Sequence, residues 1–222
     1  MSLNRVIAIS IDPSIEIGAL AAVESLKKAG LRSQLFITGD SPSAVIEKAI
    51  LHDPSIQAVL EFSLGELVST SLGIHPGSEP ERLTSAAILG LPQVIIPGGL
   101  DHMIVHRMHA PAGSRKTHQI NEVSTVFRTT PEDNDVFGKE LAFIASASRG
   151  PVVIVFPRGG LSQWDGEGQP LHGDQANQAL LDSLHLWKAP NVELVESHRH
   201  INDPLFAQIA VEQMLRLLAV RS

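Results

Sequence analysis

The change from strand to helix on which this fold depends is clearest in Val195-Glu196-Ser197-His198-Arg199-His200-Ile201-Asn202-Asp203-Pro204. An apolar run ends near Val195, and Asp203-Pro204 then supplies a capping side chain followed by a residue suited to the first helical position. Two histidines, an arginine and an amide lie between the two elements. Because open α/β sheets bind ligands at the carboxyl ends of their strands, this stretch is expected to lie at a binding edge.

Outward from this stretch, apolar strands and helical patterns alternate along most of the chain. Strands are predicted over Arg5 to Ile11, Gln34 to Thr38, Gln57 to Phe62, Pro92 to Ile96, Val123 to Arg128, Pro151 to Phe156 and Val192 to Val195. Near-continuous apolar strands separated by helices indicate a parallel sheet covered on both faces. A closed barrel would need roughly 250 residues and eight units. The prediction is therefore an open, doubly wound, Rossmann-like α/β sheet in a single domain over residues 1–222.

Four helix starts pair a capping side chain with proline: Asp12-Pro13, Ser41-Pro42, Thr130-Pro131 and Asp203-Pro204. The first is predicted to open a helix that runs to about Ala29. Several helix N-termini at one edge of the sheet would attract anions. The segment from Pro97 to Gln119 shows no clear period, and it predicts a long excursion across the ligand edge.

The composition is that of an ordinary globular protein. The 222 residues carry a net charge of −7 without any block of Lys or Arg, which argues against binding to nucleic acid. Cysteine is absent, so disulfides, zinc thiolates and a thiol nucleophile are excluded. The sequence has neither an apolar run of membrane-spanning length nor a secretory leader pattern, and a cytoplasmic location is expected.

Glycine-rich turns follow two of the predicted strands. Pro97-Gly98-Gly99-Leu100-Asp101 would let the backbone approach a ligand, and its carboxylate could bind a hydroxyl or a cation; the alternative is a turn that only ends the strand. Pro157-Arg158-Gly159-Gly160-Leu161-Ser162-Gln163-Trp164-Asp165 adds a guanidinium fork for an anionic group. The residues predicted to contact a small anionic ligand are Gly98, Gly99, Asp101, Arg158, Gly159, Gly160 and Ser162.

A shorter turn, Thr38-Gly39-Asp40-Ser41, has the glycine, the hydroxyls and the following helix of a phosphate-binding turn. The lysine and the glycine spacing of a Walker loop are absent, as is a suitable G-x-G-x-x-G. Thr38, Gly39 and Ser41 therefore form either a phosphate or carboxylate site or a tight, capped turn.

His200 and Asn202 are the predicted catalytic residues. A histidine just before a capped helix could act as general acid or base, with the amide orienting a substrate. The alternative is that the amide caps the helix and the ring packs beneath it. Ser162 with His200 or His198 and Asp165 would form a nucleophile, base and orienter, although no G-x-S-x-G elbow surrounds the serine.

Four further histidines raise a metal hypothesis: His102, His106, His109 and His118. Neutral imidazole suits zinc, nickel or iron. Their helical spacing is interrupted by Pro111, however, and no carboxylate lies at a recognised metal spacing. A surface or lid loop is the favoured interpretation, and no metal is predicted.

Six motifs lie in order along the chain: Pro97–Asp101, Arg128–Asn134, Gly150–Pro157, Gly159–Ser162 with Asp165, Gly168–Pro170 and His200–Pro204. Together they resemble one family, the Tm-one-like ATP-binding family of bacteria and plants, named for a tomato protein that confers resistance to tomato mosaic virus. The resemblance implies a Rossmann-like domain that normally follows a second, similar domain, with a nucleotide site associated with the amino-terminal part. The cofactor is left unknown, with ATP a candidate on the ground of this resemblance alone, and a homo-oligomer or a separately encoded partner domain is expected.

Two hypotheses of different classes remain open at the level of sequence. In the first, the chain is a subunit or half of an enzyme that acts on a small anionic metabolite, a phosphate or a carboxylate, with or without a linked nucleotide. In the second, it is a non-catalytic interaction or regulatory subunit that completes a two-domain partner. The residues alone do not decide whether the chain is an enzyme.

Overall fold

Six parallel strands form the main sheet of the computed structural model, which describes residues 6–37, 43–73, 82–109 and 115–220. The strand order is β2-β1-β3-β4-β8-β9. All five neighbouring pairs are parallel. The strands are β1 Val6–Ile11, β2 Arg32–Ile37, β3 Ile56–Glu61, β4 Gln93–Ile95, β8 Val152–Pro157 and β9 Val192–Ser197.

Helices cover both faces of this sheet. Their bounds are α1 Glu16–Lys28, α2 Ser43–His52, α3 Gly65–Ser71, α4 Thr84–Leu89, α5 Pro131–Ser146, α6 Asp174–Trp187 and α7 Pro204–Val220. Alternate residues of β1 show the two layers: Ile7 and Ile9 pack with α1 and α7, whereas Ala8 packs with α2 and α4. A third cluster joins β4 and β8 to α5 and α6. The predicted doubly wound α/β fold is therefore confirmed.

The strand order places a switch point between β1 and β3. The chain passes from β1 to β2 on one side and then returns to build β3, β4, β8 and β9 on the other side. The loops that follow β1 and β3 consequently diverge at the carboxyl edge of the sheet. A crevice forms at such a point in doubly wound folds.

The segment from Pro97 to Gln119, predicted as a long excursion across the ligand edge, contains regular structure that the sequence pattern did not show. It holds β5 (His102–His106), a 3-10 turn (Arg107–His109) and β6 (Thr117–Gln119), and both strands pair antiparallel with β7 (Ser124–Arg128) in a second sheet. Strands of three to five residues are too short to show a period in sequence.

The predicted helix starts have different outcomes. Thr130 accepts a hydrogen bond from the Asp133 amide and completes a capping box, and Asp203 accepts one from the Leu205 amide at the start of α7. The helix predicted at Asp12-Pro13 begins only at Glu16. Asp12 instead accepts hydrogen bonds from the amide and hydroxyl of Ser14, which closes a local turn. The Ser41-Pro42 start lies outside the described residues.

Within the four described ranges, no helix is both long enough and apolar enough to cross a membrane.

Candidate functional site

A cleft of about 420 Å³ opens at the carboxyl edge of the main sheet, next to the switch point. Its wall is formed by the loops after β1 and β3, by the end of β2 and by β5 of the small sheet. Volume and position are those of a small-molecule site in a doubly wound fold. The polar side chains that line it include Asp12, Ser14, Ser63, Glu66, His102 and Gln163.

Hydroxyl groups fix the carboxylate of Asp12 in this cleft. The Ser14 hydroxyl donates to Oδ1 at 2.6 Å, and the Ser63 hydroxyl donates to Oδ2 at 2.7 Å. Ser10 links β1 to the loop after β3 at the switch point. Its hydroxyl accepts hydrogen bonds from the main-chain amides of Phe62 and Ser63, each at 3.0 Å. A carboxylate accepts about four hydrogen bonds. Asp12 therefore keeps the capacity to accept one from a ligand.

The second carboxylate of the cleft, Glu66, is held by a buried guanidinium. Arg82 Nε donates to Glu66 at 3.0 Å, and Arg82 Nη2 donates to Glu61 at 2.8 Å. Burial raises the pKa of Glu61, although Arg82 opposes that change. This cluster makes Glu66 part of a rigid wall.

The buried side chain of His102 is the cleft's main titratable nitrogen base. Its Nδ1 lies 3.1 Å from Oδ1 of Asp101, and no hydrogen-bond partner among the described residues reaches Nε2. Burial alone would lower the pKa of His102, but the charges of Asp101 and Asp12 raise it above its ordinary value. Burial alone would raise the pKa of Asp101, but His102, Arg128 and the Ser162 hydroxyl lower it. The geometry is that of a histidine oriented by a carboxylate.

Asp101 and Ser162, both predicted to bind ligand, lie directly behind this histidine. Both side chains are fully buried, and the Ser162 hydroxyl donates to Asp101 Oδ2 at 2.6 Å. The structure brings these two residues together and places them one layer behind the wall of the cleft. Their direct contact with a ligand stays a prediction.

The predicted anion-binding arginine lies elsewhere. Arg158 donates to Glu196 at 2.7 Å and to Gln178 at 3.1 Å on the exposed surface beside β9. Gly159 and Gly160 pack against the loop before α7: a Cβ on Gly159 would lie 2.6 Å from the His200 amide, and one on Gly160 would lie 1.6 Å from the Asp165 carbonyl oxygen. The close packing explains both glycines, and a ligand role for the three residues stays a prediction.

His200 and Asn202 form hydrogen bonds that connect the loop before α7 to other loops. His200 Nε2 lies 3.0 Å from the carbonyl oxygens of both Ser162 and Asp165, and Nδ1 accepts from the Asn202 amide at 3.0 Å. The Asn202 side chain accepts from the Gly18 amide and donates to the Ser14 carbonyl oxygen, each at 3.0 Å. These contacts use both ring nitrogens and both ends of the amide. The catalytic roles stay predictions.

The hydroxyl of Ser162 does not form the alternative triad. It donates to Asp101, while His200 contacts the serine through the main-chain carbonyl oxygen. The serine-hydrolase interpretation therefore has no hydroxyl-to-imidazole hydrogen bond to support it.

One glycine of the predicted ligand turn after β4 lines the cleft. Gly99 lines it with a φ of 77°, and its amide donates to the Leu161 carbonyl oxygen at 3.2 Å. Gly98 is packed so closely that a Cβ would lie 2.1 Å from the Phe62 carbonyl oxygen. The phosphate turn predicted at Thr38, Gly39 and Ser41 lies outside the described residues.

The four histidines of the metal hypothesis are dispersed. His102 lines the cleft, the exposed rings of His106 and His109 lie 5.8 Å apart, and His118 lies 5.7 Å from Trp164. Over the described part of the chain, no three His, Asp or Glu side chains converge as a metal-binding group.

Sequence reasoning missed Asp12 and Ser63 as cleft residues and assigned His102 to a loop. The first two follow the carboxyl ends of β1 and β3, so the rule for doubly wound sheets could have identified them. The predicted ligand turn ends at Asp101, one residue before His102, but the position of the His102 ring in the cleft depends on the pairing of β5 with β7.

The fold and the position of the cleft define a doubly wound, Rossmann-like α/β domain. Residues 5–218 match the family described as "Uncharacterised protein family (UPF0261) C-terminal domain", and the chain belongs to this family.

The relatives are longer proteins. A UPF0261 protein of Brucella melitensis is 27% identical over 175 residues, which are 78% of this chain and 42% of the relative. One of Clostridium tetani is 25% identical over 205 residues, 90% of this chain and 50% of the relative. The ToMV resistance protein Tm-1(GCR237) of Solanum lycopersicum is 25% identical over 203 residues, 89% of this chain and 27% of the relative. The chain thus spans half or less of their length.

Proposed function

We propose that this domain is the ligand-binding part of an enzyme that acts on a small anionic metabolite, with His102 as its acid–base group. The observation that carries the proposal is a buried histidine that lines a cleft at the switch point, with Nδ1 on a buried carboxylate and Nε2 left for a ligand. An imidazolium in this position would pair with a phosphate or carboxylate group. Asp12 would accept a hydrogen bond from a hydroxyl of the same ligand.

The chemistry follows from the two protonation states of His102. The protonated ring can donate a proton to a ligand, and the deprotonated ring can accept one, while Asp101 stabilises the imidazolium in either direction. A cleft of about 420 Å³ is sized for a metabolite of modest length. Nucleotide linkage rests on the family resemblance of the sequence motifs alone, and ATP is therefore included as a candidate ligand.

The test is thermal unfolding of the protein against small carboxylates, phosphates, ADP and ATP, with His102→Gln beside the wild type. A ligand at about a hundred times its dissociation constant should add about 2.7 kcal/mol, which is about 5 to 10 °C for a chain of this length. His102→Gln should lose most of that shift. The exposed His198 supplies the control, because His198→Gln should keep it. An equal shift in His102→Gln, or no shift with any anionic ligand, would contradict the proposal.

A second candidate function, an interaction domain that completes a larger protein, is favoured by the lengths of the relatives and by the mouth of the cleft. Ile37 and Ile104 line the cleft and are 66% and 50% exposed, so a second domain seated there would bury two large apolar side chains. The occupant would be a domain of the kind that fills the rest of the Clostridium tetani relative.

Light scattering after size exclusion tests this second candidate. The chain is measured alone and with the separately produced remainder of the Clostridium tetani relative. A complex that Ile37→Glu and Ile104→Glu weaken and Leu186→Glu leaves intact is the expected result, because Leu186 is 73% exposed on α6 and does not line the cleft. A monomer in both samples would exclude that docking mode, and self-association with the same sensitivity would replace it with a homo-oligomer.

A further inference from the structure

The two carboxylate oxygens of Asp101 contact different side chains. Its Oδ1 meets His102 Nδ1 at 3.1 Å, and its Oδ2 accepts the hydroxyl of Ser162 at 2.6 Å. The second contact has the short length of a hydroxyl bound to an ionised carboxylate. Because the two partners occupy different oxygens, the serine fixes the rotation of the carboxylate that the histidine contacts.

A buried guanidinium secures the main chain at the same residue. Arg128 is 5% exposed, and its Nη1 donates to the Asp101 carbonyl oxygen at 2.5 Å. Its Nη2 donates to Asn177 at 2.6 Å and to the Gly173 carbonyl oxygen at 3.2 Å. The arginine thus links the turn that carries Asp101 to the start of α6.

The buried carboxylates of this layer lie beside Arg128 and His102. Arg128 lies 3.9 Å from Asp101 Oδ2 and 3.9 Å from Asp165 Oδ1, and both carboxylates are fully buried. A protonated His102 adds a second positive charge beside Asp101. Since an unbalanced buried charge is costly, the arrangement favours the protonated ring. His172 Nδ1 lies 3.7 Å from Asp165 Oδ1, beside this layer.

The loop that carries Ser162 is itself rigid. Asp165 accepts from the Leu161 amide at 3.1 Å and from Asn177 at 2.7 Å, and His200 binds the carbonyl oxygens at both ends of the turn. The position of the Ser162 hydroxyl is therefore fixed independently of Asp101.

We propose that Ser162 is a positioning residue for the cleft histidine: it holds the Asp101 carboxylate in the rotation that keeps the His102 ring in place, with Nε2 toward the cleft. Arg128 fixes the backbone of the same turn and places a positive charge 3.9 Å from the carboxylates of Asp101 and Asp165. The inference rests on the proposed function only for what His102 then does to a ligand. The positioning itself is a property of the ligand-free protein.

The experiment is an NMR titration of the histidine rings in ligand-free, ring-labelled protein. Asp101, Asp12 and Arg128 are the charged groups that face His102, and the opposite charges hold its pKa high. Asp101→Asn should lower the His102 pKa by about one to three units. Ser162→Ala should lower it by less, and it should weaken the preference for the tautomer protonated at Nδ1.

Ser183→Ala is the matched control. Ser183 is equally buried and donates to the Asp135 carbonyl oxygen at 2.8 Å, away from the network. It should lower stability to a similar degree while the His102 titration stays that of the wild type. A folded Ser162→Ala protein with an unchanged or raised His102 pKa would overturn the inference, as would an equal change in Ser183→Ala. Because no ligand is present, a failed ligand screen leaves this result standing.

Discussion

His200 and His102 differ in what their ring nitrogens contact. His200 has carbonyl oxygens on one nitrogen and a main-chain amide on the other, so it joins loops. His102 has a carboxylate on one nitrogen and the cleft beside the other. A group that exchanges protons with a ligand needs an accessible nitrogen. His102 meets this requirement.

At the residue scale, Gly98→Ala tests how closely the turn after β4 is packed. A Cβ there would lie 2.1 Å from the Phe62 carbonyl oxygen and 2.6 Å from Ile201 Cδ1, and backbone cannot yield as a flexible side chain does. We expect a loss of about 1–3 kcal/mol in the free energy of unfolding, measured with urea. Gly65→Ala is the control, because its nearest contact would be at 3.6 Å. Similar stabilities for the two variants would refute the packing argument.

At the scale of elements, the small sheet completes the cleft. β5 carries His102 and Ile104 to its wall, and β7 carries Arg128 behind it. Met103 and Phe127 face each other across the two strands and pack into the core. The antiparallel pair therefore anchors one side of the cleft to the same core that holds the main sheet.

Asn202 links the starts of α1 and α7, and its substitution tests that link. Asn202→Ala removes hydrogen bonds to the Gly18 amide and the Ser14 carbonyl oxygen, and it should cost about 1–3 kcal/mol in urea unfolding. Asn202→Asp keeps the acceptor for Gly18 but turns an oxygen toward the Ser14 carbonyl. It should cost at least as much. Wild-type stability in Asn202→Asp would show that the amide is not a structural link.

At the scale of the whole molecule, buried ionised groups make stability depend on pH. His102 has a folded pKa above its ordinary 6.5, so its contribution is fully present below 6.5 and is lost as the pH rises through the folded value. Asp101 has a folded pKa below its ordinary 3.8, so its contribution is present above 3.8 and is lost as the pH falls through the folded value.

The free energy of unfolding should therefore decline as the pH rises above the ordinary His102 pKa of 6.5. The slope contributed by His102 is at most about 1.4 kcal/mol per pH unit. Urea midpoints from about pH 6 to about pH 9 measure it, and His102→Gln should flatten the curve in that range. A wild-type curve with no decline, or a variant curve with the same decline, would contradict the assignment.

The predictions that held rest on local patterns. The apolar strands, the Thr130 capping box and the helix that begins at Pro204 each follow from residues within a few positions of one another. The predicted helix start at Asp12 failed because the same residue types also form a turn in which the carboxylate binds Ser14. Local sequence does not distinguish these two uses of an Asp-Pro pair.

The sequence by itself determined the doubly wound α/β fold, because hydrophobic periodicity and capping act over short distances along the chain. The tertiary structure alone decided which of the polar motif residues meet at a cleft. The distance from Ser162 to Asp101 is 61 residues in sequence and 2.6 Å in space, and His102 reaches the cleft through a strand pairing with residues near 128. Contacts of this kind depend on how distant segments pack, and no local pattern records them.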